Sequence, residues 1–134
     1  MLSNEILNEI DVAHNDANIA LQNRKFDSYI SHFGDDLQYK QADGKTIGKE
    51  QLVKNIKNYF NRIVNFSGHY ERKEFTIEND KVVERIIQHS KVSLRIFIFF
   101  LKNWTIEREG IYEWKKTDSL WKIIKVEILS EKVF

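Results

Sequence analysis

Few side chains in this chain can move a proton near neutral pH. Cysteine is absent from the 134 residues and histidine occurs four times. Acid–base work needs a histidine or carboxylate within hydrogen-bond reach of a substrate proton. In the second half of the chain the candidates are His69, Glu71, Glu74 and His89. They sit in segments of alternating polarity, so their neighbours depend on the turn at Asn79-Asp80. A two-residue turn pairs Tyr70 with His89 and Glu74 with Arg85. One more loop residue pairs Glu71 with His89 and Phe75 with Arg85. Either register gives His89 a polar neighbour to orient it, which makes His89 the candidate general acid–base. The plainer reading of His89 is an exposed strand position.

A second chemical signal lies between Trp104 and Trp114. One face of this alternating segment carries Trp104, Ile106, Arg108, Gly110, Tyr112 and Trp114. The other carries Thr105, Glu107, Glu109, Ile111 and Glu113. The aromatic face gains more from burial and is expected to point inward. Arg108 then stands among apolar groups and needs a partner. That partner is an anionic ligand or a carboxylate on a neighbouring strand. Gly110 on the same face suits a cavity wall.

Other chemistries find no support. The histidines form no HxH or HExxH pattern, so no metal site is expected. Asp35-Asp36 reads as a polar turn. No Ser-His-Asp order or Gly-rich phosphate loop is present, and no cofactor is implied. The 21 basic and 20 acidic residues nearly cancel and form no basic stripe, which removes the electrostatic basis for nucleic-acid binding. Without cysteine there is no disulfide framework. The longest apolar run, Ile96 to Leu101, is far short of the roughly 20 residues that span a bilayer. It alternates too little for a one-sided strand. Burial on both faces, in the core and in a dimer interface, would explain it, with a lid over a pocket mouth as the alternative. The N-terminal MLSNEILNEIDV is acidic and amphipathic and does not read as a signal peptide. A cytoplasmic protein with no membrane contact is expected, as one domain over 1–134.

Periodicity places these residues on elements. Apolar positions at helical spacing predict helices over 4–24, 26–33 and 49–65. The first carries Ile6, Leu7, Ile10, Ala13, Ala17, Ala20 and Leu21, with His14 on or beside that stripe as a partly buried histidine. Leu37 to Gln41 is a short strand, followed by a turn at Ala42-Asp43-Gly44-Lys45. From Ser67 the period becomes alternating, and strands are predicted over about 69–78, 81–95, 98–116 and 120–129. Helices first and a mostly antiparallel sheet after make an α+β fold, with helices packed on one face of a strongly curved sheet.

The run Ala20-Leu21-Gln22-Asn23, Lys25-Phe26-Asp27 and Phe33-Gly34-Asp35-Asp36-Leu37 is followed by Ile47-Gly48-Lys49-Glu50 and Leu120-Trp121-Lys122-Ile123. This pattern resembles the nuclear-transport-factor-2-like superfamily, in particular its SnoaL-like branch. The resemblance implies a cone-shaped fold with a central pocket, and frequently a homodimer packed through the sheet. It also implies a choice among isomerases, cyclases, dehydratases and modules without catalysis. In the ketosteroid isomerase branch, a general-base Asp stands near the end of the first strand. Counting from Phe33-Gly34-Asp35-Asp36 puts Gln41 there, and an amide cannot take that proton. The oxyanion-donor positions of that branch fall on Ala17 and Gly110, so its chemistry is not expected.

The expectation is therefore a small-ligand-binding domain and homodimer. Its mainly apolar pocket would be lined by Tyr39, Gln41, Tyr59, His89, Arg108, Tyr112 and Trp114, for an apolar or weakly acidic ligand. The alternatives are an isomerase, cyclase or dehydratase using a pocket histidine, and a non-catalytic dimerisation or assembly module.

Overall fold

The computed structural model describes residues 3–97 and 100–134. In chain order the elements are α1 (Ser3–Gln22), α2 (Phe26–Ile30), β1 (Phe33–Lys40), β2 (Thr46–Ile47) and α3 (Lys49–Phe60). Then come β3 (Ile63–Glu78), β4 (Lys81–Phe97), β5 (Phe100–Thr117) and β6 (Leu120–Val133). The strands form a six-stranded curved sheet in the order β2-β1-β6-β5-β4-β3. Among the described residues, only β1 and β6 pair in parallel. Antiparallel neighbours account for the other described pairings.

α1 buries Ile6, Ile10 and His14, which recur every fourth residue and so line one stripe. That stripe meets the alternating inward row of β4 and β5: Val82, Glu84, Ile86, Tyr112 and Trp114 are all buried. Phe33, Leu37, Leu52, Ile123, Val126 and Ile128 complete the core. Each fully buried aliphatic side chain here, such as Ile10 or Ile86, contributes on the order of 1.5–3 kcal/mol. A smaller cluster of Leu21, Ile63 and Val92 extends the packing toward the other end of α1. Bulges interrupt β3 near Lys73 and β6 near Ile124 and Leu129, where register shifts occur. A bulge bends its strand and adds twist, which lets long strands curve around helices.

Several boundaries differ from the periodic reading. The second helix ends at Ile30, not Phe33, and β1 begins at Phe33 and takes in Asp35-Asp36, which is not a turn. Phe33 pairs with Ile123 of β6 and is buried. The third helix stops at Phe60, with Asn61 as its cap, and Ile63-Val64 opens β3. Two β-branched residues continue the apolar stripe of α3 in spacing, yet their shape suits a pleated strand. α2 is a single short turn of five residues. The strands are longer than the alternation alone suggested, β3 starting six residues earlier, at 63 rather than 69. In the apolar run, Ile98 and Phe99 lie outside the described residues, while Ile96, Phe100 and Leu101 are exposed in the single chain.

Candidate functional site

Between the helices and the inner face of the sheet lies a cavity of about 280 Å³. α1 contributes His14, Ala17, Asn18 and Leu21, and α3 contributes Asn55, Ile56, Tyr59 and Phe60. The sheet contributes Tyr39, Gln88, Ser90, Arg108, Tyr112 and Trp114 among others. The volume is near the lower bound, about 300 Å³, of typical small-molecule pockets.

One end is built on Glu84, whose side chain is wholly buried between Val82 and Ile86. Its Oε2 accepts hydrogen bonds from Trp114 Nε1 at 2.7 Å and shares a 2.6 Å hydrogen bond with His14 Nε2. Its Oε1 accepts from Arg72 Nε at 3.0 Å. Burial alone would push the Glu84 carboxyl up. The hydrogen bond and charge of His14, the Trp114 hydrogen bond and the Arg72 charge outweigh it and hold the group below the usual carboxylate range. Arg72 also donates from Nη2 to Asp11 Oδ1 at 2.8 Å, and the Tyr70 hydroxyl donates to the same oxygen. Burial likewise pushes Asp11 up, and the Tyr70 and Arg72 hydrogen bonds bring it below its ordinary value. The Tyr70 ring centroid lies 4.1 Å from that of His14 in a tilted contact and that of Trp114 5.0 Å away in a T-shaped one, so His14 is packed between rings as well as tethered at Nε2.

The other end is built on Arg108. Its Nε donates to Glu131 Oε2 at 2.7 Å, across the register pair of β5 and β6. Four tyrosines surround the guanidinium closely enough to couple to its charge: Tyr29, Tyr39, Tyr59 and Tyr112. Burial raises all four phenols, to about 12 for Tyr29 and for Tyr59. Tyr112 donates to Gln88 Oε1 at 3.0 Å. Among the described residues, Tyr29, Tyr39 and Tyr59 make no hydrogen bond through their hydroxyls. His32 also lines the cavity, and burial moves its ring below the ordinary histidine value.

Of the residues expected to line a pocket, Tyr39, Tyr59, Arg108, Tyr112 and Trp114 converge on this cavity. Gln41 does not: it follows β1 and closes a turn through its backbone, with Gln41 N donating to Lys45 O at 2.8 Å. His89 does not either. Its neighbours Gln88 and Ser90 line the cavity, so His89 faces the opposite side of β4. There its ring stacks on His69 at 4.9 Å. Glu107 stands beside it at 3.9 Å from Nδ1, too far for a hydrogen bond. Neither register expected for His89 occurs. The two-residue turn pairs Glu74 with Arg85, but the bulge at Lys73 then shifts the ladder, and His89 faces His69. Gly110 is not cavity wall: an added Cβ would meet Glu127 O and Tyr112 at 3.2 Å each, so packing needs the missing side chain.

Neither Glu84 nor a role for His14 is among the expectations drawn from the sequence. Two signals were present. Glu84 alternates in step with Val82 and Ile86, and His14 continues the fourfold spacing of Ile6 and Ile10. Among the described residues no group of three His, Asp or Glu side chains is placed to hold a metal ion, and no helix is long and apolar enough to cross a membrane.

No protein-family model matches the chain, and no curated protein matches it. Solved structures do. An NTF2-like protein from Cytophaga hutchinsonii superposes with a TM-score of 0.65 at 19% identity, covering 97% of this chain and 99% of the other. The chain has the fold of that NTF2-like protein. A ketosteroid isomerase-like protein from Erwinia carotovora atroseptica gives a TM-score of 0.69 at 17% identity, with 95% and 98% covered. A hexachlorocyclohexane dehydrochlorinase from Novosphingobium barchaimii gives 0.68 at 18% identity, with 97% and 90% covered. At such identities the likeness shows the fold alone.

Proposed function

We propose that the chain is a small-ligand-binding domain of the SnoaL-like type, holding a mostly apolar molecule in the cavity between helices and sheet. The supporting observation is the cavity itself: about 280 Å³, walled by Leu52, Ile56, Phe60, Ile106 and the tyrosine cluster, with a few convergent polar groups. An assembly module with its interior filled by its own side chains would not retain that space. Ala17 faces the cavity from α1, so Ala17→Trp fills it. Native mass spectrometry of protein purified from cells should find a bound small molecule in the wild type and none in the folded variant. Equal occupancy in both would sink the proposal.

A second reading is carried by a specific observation. His14 borders the cavity and is fixed through Nε2 by a buried carboxylate, which leaves Nδ1 as the atom able to exchange a proton. A histidine oriented by a carboxylate is the arrangement general acid–base catalysis uses. On this reading His14, not His89, is the pocket histidine of an isomerase, cyclase or dehydratase. Deuterium exchange from solvent into a bound enolisable ketone, followed by NMR, tests it. Exchange should occur with the wild type and vanish in His14→Asn. Exchange that persists in the variant would remove His14 from the chemistry.

A further inference from the structure

The Arg108 end of the cavity specifies a class of ligand, given the binding reading above. Arg108 lines the cavity, yet its charge is already matched by Glu131 through the 2.7 Å contact to Nε. A ligand carboxylate entering here would lose its hydration and meet the Glu131 carboxylate beside the guanidinium it came to pair with. The remaining unshared groups at this end, Arg108 and the tyrosine hydroxyls, can all donate. Beyond the Glu131 contact, Arg108 makes no hydrogen bond among the described residues, so both Nη groups keep their hydrogens unshared. A guanidinium can only donate. Among the described residues the hydroxyls of Tyr29, Tyr39 and Tyr59 also find no acceptor. Gln88 Oε1 is already taken by Tyr112, leaving the Gln88 amide nitrogen as a further donor. On the far side, the Glu84 oxygens are occupied by His14, Trp114 and Arg72, so no free anion awaits a ligand cation there.

We propose that the cavity selects an uncharged molecule with an apolar body and an acceptor oxygen, such as a ketone, ester or ether. In this proposal Glu131 is the residue that excludes carboxylic acids. Glu131 lies near the end of β6 and shares its position with Arg108 in the strand register. It is a specificity residue and does no chemistry of its own. Removing its charge while keeping its shape turns a neutral-ligand site into an anion site.

The test uses two fluorescent probes, the neutral aromatic ketone prodan and the anionic anilinonaphthalene sulfonate. Wild type should bind prodan more tightly than the sulfonate. Glu131→Gln should keep prodan affinity within about twofold and tighten the sulfonate by about tenfold. Adding Arg108→Met to that variant should cancel the gain, and Ala17→Trp should abolish both signals. An unchanged ratio of the two affinities in Glu131→Gln, with prodan still bound, overturns the assignment to Glu131 alone. Failure of both probes to bind any of the proteins overturns the binding reading beneath it as well.

Discussion

The two ends of the cavity treat an ionised side chain in opposite ways. Glu84 is fully buried and has partners on both oxygens, drawn from α1, β3 and β5. Arg108 is about one-third exposed by side-chain surface and, among the described residues, has a single acceptor and keeps its other donors unshared beside unshared tyrosine hydroxyls. A saturated buried charge holds elements in place, because each partner removed strands the rest in a low-dielectric interior. An unsaturated set at a cavity wall can give its hydrogen bonds to something that enters. The first end is where the fold is locked, and the second is where the proposed ligand would be read.

Mutations at the two ends should separate these roles. Glu84→Leu leaves Arg72, His14 and Trp114 without their acceptor and should cost about 3–5 kcal/mol in urea unfolding. A cost below 1 kcal/mol, on the order of a surface substitution, would end the distinction. Trp114→Phe removes only one donor from Glu84 and should cost about 1–3 kcal/mol.

The same end should govern acid sensitivity. Glu84 has a lowered folded value, so its stabilisation is present above the ordinary carboxylate value of 4.5 and is lost as pH falls through the folded one. Asp11, also lowered, adds in the same direction. Stability measured against pH should therefore fall on the acid side, with a shallower slope in Glu84→Gln. An identical slope would place the acid lability elsewhere.

Arg108→Met should barely change stability, by less than about 1 kcal/mol, since a partly exposed pair contributes little. It should weaken prodan binding by about tenfold. The smallest effect belongs to the outer face of the sheet. His89→Ala should shift stability by within about 0.5 kcal/mol and leave probe binding unchanged.

The α+β order was legible because helical and alternating periods segregate cleanly along the chain, and because Asn79-Asp80 and Thr117-Asp118-Ser119 punctuate the strands. Asn79, Asp118 and Ser119 do adopt positive φ, at 52°, 52° and 67°. The inward face of β5 was legible for the same reason: aromatic and charged residues alternate there. Boundaries such as Phe60–Ile63 were not, since an apolar residue at the next helical position looks the same whether the helix continues or a strand begins. His89 lies off the cavity because its β4 neighbours Gln88 and Ser90 face it, and the partner it meets on the outer side was not legible either. The bulge at Lys73 is invisible in composition, and it decides what His89 meets across the ladder.

The sequence by itself determined the class of fold, the inward row Ile106, Arg108, Tyr112 and Trp114, and the absence of thiol chemistry. Local periodicity and residue type suffice for those. Only the tertiary structure decided that Glu84 is the acceptor for His14, 70 residues away, and that Glu131 occupies Arg108. Those pairings depend on how α1 lies on the sheet and on strand register. Long-range packing sets both, and no short stretch of sequence records them.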